Sequence, residues 1–104
     1  MKFNFDKTGW DMTTQISFLQ RRVIVACIAY YELDESVISD TDYKELAEQL
    51  IEYQTKYSED AAKSTYYYAM KDFDVSTGFD VYDKLNDYDK YWLMMITRIV
   101  IGNK

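Results

Sequence analysis

The sequence predicts a mainly α-helical fold, a small helical bundle with an extended N-terminal arm. Three observations carry this. The 104 residues include no Pro and 3 Gly, so helix breakers are scarce. Apolar residues recur at spacings of three and four along most of the chain. Ser, Thr and Asp stand at the segment boundaries, where they cap helices. The alternative is an α+β fold, in which the arm and residues 65–75 form a small sheet. The length argues for one domain over 1–104, with a helical hairpin at 13–57 and further helices over 58–104.

The arm is read from Phe3 and Phe5, which alternate with polar residues, and from turn residues at Lys7-Thr8-Gly9-Trp10. Its Phe3, Phe5 and Trp10 are expected to pack on the helices. Thr13 or Thr14 is expected to cap a first helix running to about Leu33, with a core stripe of Ile16, Leu19, Val23, Ala26 or Cys27, and Tyr30. Val23–Ala29 is apolar all round. Its β-branched residues also suit a buried strand, but the helical pattern extends on both sides. Arg21 and Arg22 read as a solvated face.

Ser39 is the next cap, with Asp42 at the capping-box position and Asp40 in a first turn where the helix dipole favours acids. That helix should run to about Tyr57, burying Tyr43, Leu46, Ala47, Leu50 and Tyr57. Ser58 is expected to cap a helix over Glu59–Met70, with a strand over Thr65–Met70 as the alternative. Asp72 to Asp80 reads as a loop hinged at Gly78, followed by a short turn at Val81–Leu85. Asp87 is expected to cap a last helix that buries Trp92, Met95, Ile96, Ile99 and Val100 and ends at a left-handed Gly102.

Composition narrows function. The chain has no His, so there is no imidazole base and no Ser–His or Cys–His pair, and the usual zinc site is missing. No glycine-rich phosphate loop is present. Asp72, Asp74 and Asp80 lack the spacing of a calcium loop, so no metal site is expected. Cys27 lies alone in an apolar run, which fits a buried residue in a reducing compartment. No signal peptide or membrane-length apolar run is read, and a cytoplasmic protein is expected, host cytoplasm if phage encoded. Tyr accounts for 11 residues, suiting either interfaces or core filling.

Net charge is −6. Residues 32–60 hold 10 acids against Lys44 and Lys56, which argues against direct nucleic-acid binding.

One stretch resembles a known family. Tyr30-Tyr31-x-Leu33-Asp34, then Ile38-Ser39-Asp40-x-x-Tyr43, is similar to the N-terminal helical module (domain Ia) of NAD-dependent DNA ligases, over residues 20–57. The resemblance implies a pocket for nicotinamide mononucleotide, or that half of NAD, lined by Tyr30, Tyr31, Asp40 and Tyr43. The chain departs from the pattern at Lys44, where the family has Asp. It contains no Lys-x-Asp-Gly, so the adenylation nucleophile is missing, and residues 58–104 match nothing in the ligase.

The expectation is a non-enzymatic acidic interaction protein of phage or mobile-element type. It would inhibit a basic nucleic-acid-handling protein, such as a nuclease, in the manner of an anti-CRISPR or anti-restriction DNA mimic. Asp34, Glu35, Asp42, Glu45, Glu48 and Glu52 would form its partner face. The alternatives are a ligand-binding module that keeps the nicotinamide-nucleotide pocket, and a structural homo-oligomer.

Overall fold

The structure, a computed structural model, describes residues 2–103; Met1 and Lys104, the outermost residues of the stretch read as one domain, lie outside it. The chain folds as α1 (Met12–Cys27), a π-helical turn (Ile28–Glu32), α2 (Asp40–Lys56), α3 (Ser58–Ala62) and α4 (Tyr67–Met70). A 3₁₀ turn (Val75–Asp80), α5 (Val81–Lys84) and α6 (Asp87–Gly102) follow. The fold is mainly α, and the described residues contain no strand.

α1 is the central element and packs against every other α-helix. Val23 to Ala29 is buried on all sides, as an apolar run in the centre of a bundle requires. Ile16, Leu19, Val23, Ile24 and Ile28 form the core with Leu46 and Leu50 of α2, Met70 and Leu93. Each fully buried side chain of this size contributes about 1.5–3 kcal/mol. The cap of α1 is Asp11, whose carboxylate accepts from the Thr14 amide at 2.9 Å, and not Thr13 or Thr14. That bond lowers the Asp11 pKa. Thr13 instead points its hydroxyl at Asp60 of α3.

The arm, which turns at residues 6–8, pairs with a side chain and not with a strand. Phe3 donates its amide to Gln49 Oε1 at 2.9 Å, and Gln49 Nε2 donates back to the Phe3 carbonyl at 2.8 Å. The carboxamide of Gln49 thus satisfies both backbone groups that a sheet neighbour would take. Phe3, Phe5 and Trp10 close over Phe18, with Phe3 and Phe18 edge-to-face at 4.9 Å, and Arg22 lies over the Phe3 ring at 5.4 Å.

The expected helix over Glu59–Met70 is two short helices, with Ser58 inside the first and not its cap. The break has a cause in α1. Gln20, fully buried, accepts the Tyr66 amide at 3.0 Å, Ser17 accepts the Thr65 amide at 3.0 Å, and Ser64 turns its hydroxyl onto the Ala61 carbonyl. These side chains take groups that a continuous helix would pair within itself. Gln20 also donates to Gln54 at 2.9 Å and to Ser64 at 2.7 Å, tying α1 to α2 and to this break.

α6 differs from expectation in three ways. Its cap is Asn86, which accepts from the Asp89 amide at 2.8 Å, and not Asp87. Its buried residues are Leu93 and Thr97; Ile96 and Val100 are half-buried, whereas Trp92, Met95 and Ile99 face solvent. The Thr97 hydroxyl donates to the Leu93 carbonyl at 2.7 Å, which lets a polar residue sit fully buried. Gly102 is not left-handed: the helix runs through it, and the Asn103 amide bonds back to Ile99 and Val100.

Candidate functional site

The end of α1 and the start of α2 enclose a cleft. Its floor is Ala26 and Cys27 from the last turn of α1. Tyr30 and Tyr31 come from the π-helical turn, Ser36 to Ile38 from the connection, and Asp40 and Tyr43 from the first turns of α2. The cleft encloses about 160 Å³. The structure therefore brings together Tyr30, Tyr31, Asp40 and Tyr43, the residues that the ligase-like pattern singles out.

The π turn is what opens the site. Tyr30 was expected on the buried stripe of α1, but it is 57% exposed. The Leu33 amide reaches back five residues to the Ile28 carbonyl at 3.2 Å, so the last turn is wider than an α turn. The chain then reverses through Asp34 at φ 54°, a left-handed conformation that Asp tolerates better than most residues, and the Glu35 amide bonds to the Ala29 carbonyl at 2.8 Å. The result sets Tyr30 and Tyr31 side by side, ring centroids 4.8 Å apart and edge to face.

Across the cleft, Ser39 caps α2 by accepting from the Asp42 amide at 3.1 Å, and this fixes the first turn that carries Asp40. Asp40 is exposed and lines the cleft at the first turn of α2, the positive end of the helix dipole. Tyr43 is half-buried, with its hydroxyl 3.4 Å from Cys27 Sγ. Burial is the first cause raising the pKa of both groups, the Cys27 thiol to about 11 and the Tyr43 phenol upward as well. At neutral pH both stay protonated. Cys27 is then a poor nucleophile, and Tyr43 keeps a hydroxyl hydrogen for an acceptor.

Two residues, one packed behind the cleft and one lining it, have roles beyond their sequence readings. Gly78, read as a loop hinge, is buried against the site. A Cβ on it would come 2.8 Å from Tyr43 Oη and 3.2 Å from both Cys27 Sγ and Tyr31 Cε2. The absence of a side chain lets the 3₁₀ turn close on the tyrosines. Cys27, read only as core, presents its sulfur to Tyr43. Nothing in local periodicity marks either role. Asp74 is occupied as the cap of the 3₁₀ turn, accepting from the Ser76 hydroxyl and amide, and these bonds hold its pKa down.

Lys44, the departure from the ligase-like pattern, is exposed and does not line the cleft. Of the acidic residues, Glu45, Glu48 and Glu52 are exposed along the outer side of α2, Asp34 and Glu35 are exposed in the connection, and Asp42 is partly covered. Among the described residues no cluster of three or more His, Cys, Asp and Glu is arranged to hold a metal ion, and no helix is long and apolar enough to cross a membrane. Comparisons with protein-family models, with curated proteins and with solved structures give no match.

Proposed function

We propose that this chain is a binding module for a planar, positively charged ring of the nicotinamide-nucleotide class, and that it holds this ligand without turning it over. The observation that carries the reading is the convergence of Tyr30 and Tyr31 from the π-helical turn and Asp40 and Tyr43 from α2 on one cleft. A volume of about 160 Å³ suits one six-membered ring, since a cavity of about 150 Å³ accommodates benzene. The ring would sit against the Tyr30 and Tyr31 faces, its positive charge near the Asp40 carboxylate, and the Tyr43 hydroxyl would donate to its carboxamide. The ribose and phosphate would lie outside in solvent. The resemblance to the ligase module supports the same ligand class.

Calorimetry with nicotinamide mononucleotide tests this. The expected result is measurable binding that Tyr30→Ala and Asp40→Asn each weaken about tenfold or more, the loss of a contact of about 1.4 kcal/mol. No heat and no rise in melting temperature at millimolar ligand would retire the proposal.

A second reading rests on a different observation, the exposure of Glu48 and Glu52 on the outer side of α2. This is the partner face of the acidic-inhibitor reading, directed at a basic nucleic-acid-handling protein. Capture of such a protein should weaken with salt and on neutralising Glu45, Glu48 and Glu52. Capture indifferent to both changes removes this reading.

A further inference from the structure

α6 carries an apolar stripe that faces away from the core. Tyr88, Trp92, Met95 and Ile99 repeat at four, three and four residues, with Tyr91 beside them. They are 70, 48, 38, 60 and 69% exposed, in that order. This spacing is that of a coiled-coil seam. The other side of the same helix, Leu93 and Thr97, already fills the core, so the stripe is surplus to the fold.

We propose that this face of α6 pairs with the same face of a second copy of the chain, antiparallel, about a twofold axis. Two observations select that occupant. The first is charge. Asp87 and Arg98, both exposed, border the stripe near its two ends. Eleven residues apart, they lie about 20° from one another around the helix and about 16 Å apart along it, so they share one edge. In an antiparallel pair each edge meets its own counterpart, which places Asp87 of each copy against Arg98 of the other. A strip bordered by one charge of each sign, related in this way, is complementary to itself. A strongly basic or acidic partner would satisfy one end and oppose the other. The antiparallel arrangement also sets each helix dipole against its opposite.

The second observation is area. At about 200 Å² for each of these side chains, the exposed fractions amount to about 600 Å² per copy, or about 1,200 Å² in a pair. That reaches the lower end of stable protein interfaces. The patch of each copy also lies at the upper end of those that monomers leave exposed, and patches of that size often have a use. The cleft residues Tyr30, Tyr31, Asp40 and Tyr43 are not part of the stripe, so the pairing stands independently of ligand binding.

Sedimentation velocity of the whole chain, over about 1–500 µM, tests the pairing. A dimer is expected with a dissociation constant of about 1–100 µM. Ile99→Glu and Tyr91→Glu, both at exposed positions, should each weaken it at least about tenfold while leaving the far-UV circular dichroism unchanged. Asp87→Arg and Arg98→Asp should each weaken it about threefold or more, and the double charge swap should restore it. A monomer at every concentration overturns the proposal. So does a dimer that both glutamates leave intact, or a double swap no better than the single changes.

Discussion

Gly78→Ala probes the closure of the 3₁₀ turn on the tyrosines. The new methyl carbon would lie 2.8 Å from Tyr43 Oη, well inside ordinary van der Waals separation, and 3.2 Å from two further atoms. Tyr43 has little room to retreat, because its hydroxyl already rests on Cys27, which is 2% exposed. Overpacking of this kind costs about 1–3 kcal/mol. Gly78 has no positive φ, so Ala also gains about 0.4–1 kcal/mol from a more restricted unfolded chain. The net expectation is a loss of about 1–2 kcal/mol, or a melting temperature lower by about 4–16 °C. Tyr43→Phe removes the atom that the methyl strikes and by itself should cost about 1 kcal/mol. In the double variant the two losses should therefore fall short of their sum by about 1 kcal/mol. Urea unfolding of the four proteins measures this. Strict additivity, or a Gly78→Ala protein at least as stable as the parent, would refute the close approach.

Other predictions follow from the same contacts. Ser39→Ala and Asn86→Ala should each cost about 1 kcal/mol, because each removes a cap bond, whereas Ser58→Ala should cost less than about 0.5 kcal/mol. Gln20→Leu should cost about 2–4 kcal/mol, since it strands the Tyr66 amide and two side-chain partners in the interior. Stability should also fall at alkaline pH. The Cys27 thiol titrates near 9 when unfolded and at about 11 when folded, so the native state binds the proton more tightly. Its contribution is fully present below pH 9 and is lost as pH rises from 9 to about 11, at up to about 1.4 kcal/mol per pH unit. Equilibrium unfolding from pH 8 to 10 should show the start of this limb, and Cys27→Ala should flatten it there, whereas above pH 10 the raised phenols of Tyr43, Tyr66 and Tyr68 add a loss of the same sign.

The helices of the hairpin were legible because their signals are local. Val23 to Ala29 is apolar on every side, and Ser39 stands at its capping position before a periodic stripe. The cleft residues were legible through a pattern of residue types, with no physical derivation of their meeting. What stayed hidden depends on distant partners. Gln49 replaces a sheet neighbour for Phe3 from 46 residues away, and Gln20 breaks the expected third helix from a similar separation. In α6 most positions from Tyr91 onward are apolar, so two stripes share the same period, and tertiary contact chose Leu93 and Thr97 over Trp92, Met95 and Ile99. The π turn shows in no propensity scale. Its effect, Tyr30 turned outward beside Tyr31, nevertheless shapes the site.

An amide-shift titration with nicotinamide mononucleotide, followed by nuclear magnetic resonance, reads the site residue by residue. The cleft reading predicts saturable shifts concentrated at Cys27, Tyr31, Ile38, Asp40 and Tyr43, with Overhauser contacts between the pyridine ring and the rings of Tyr30 and Tyr31. Shifts centred away from these residues, or none at millimolar ligand, would contradict it.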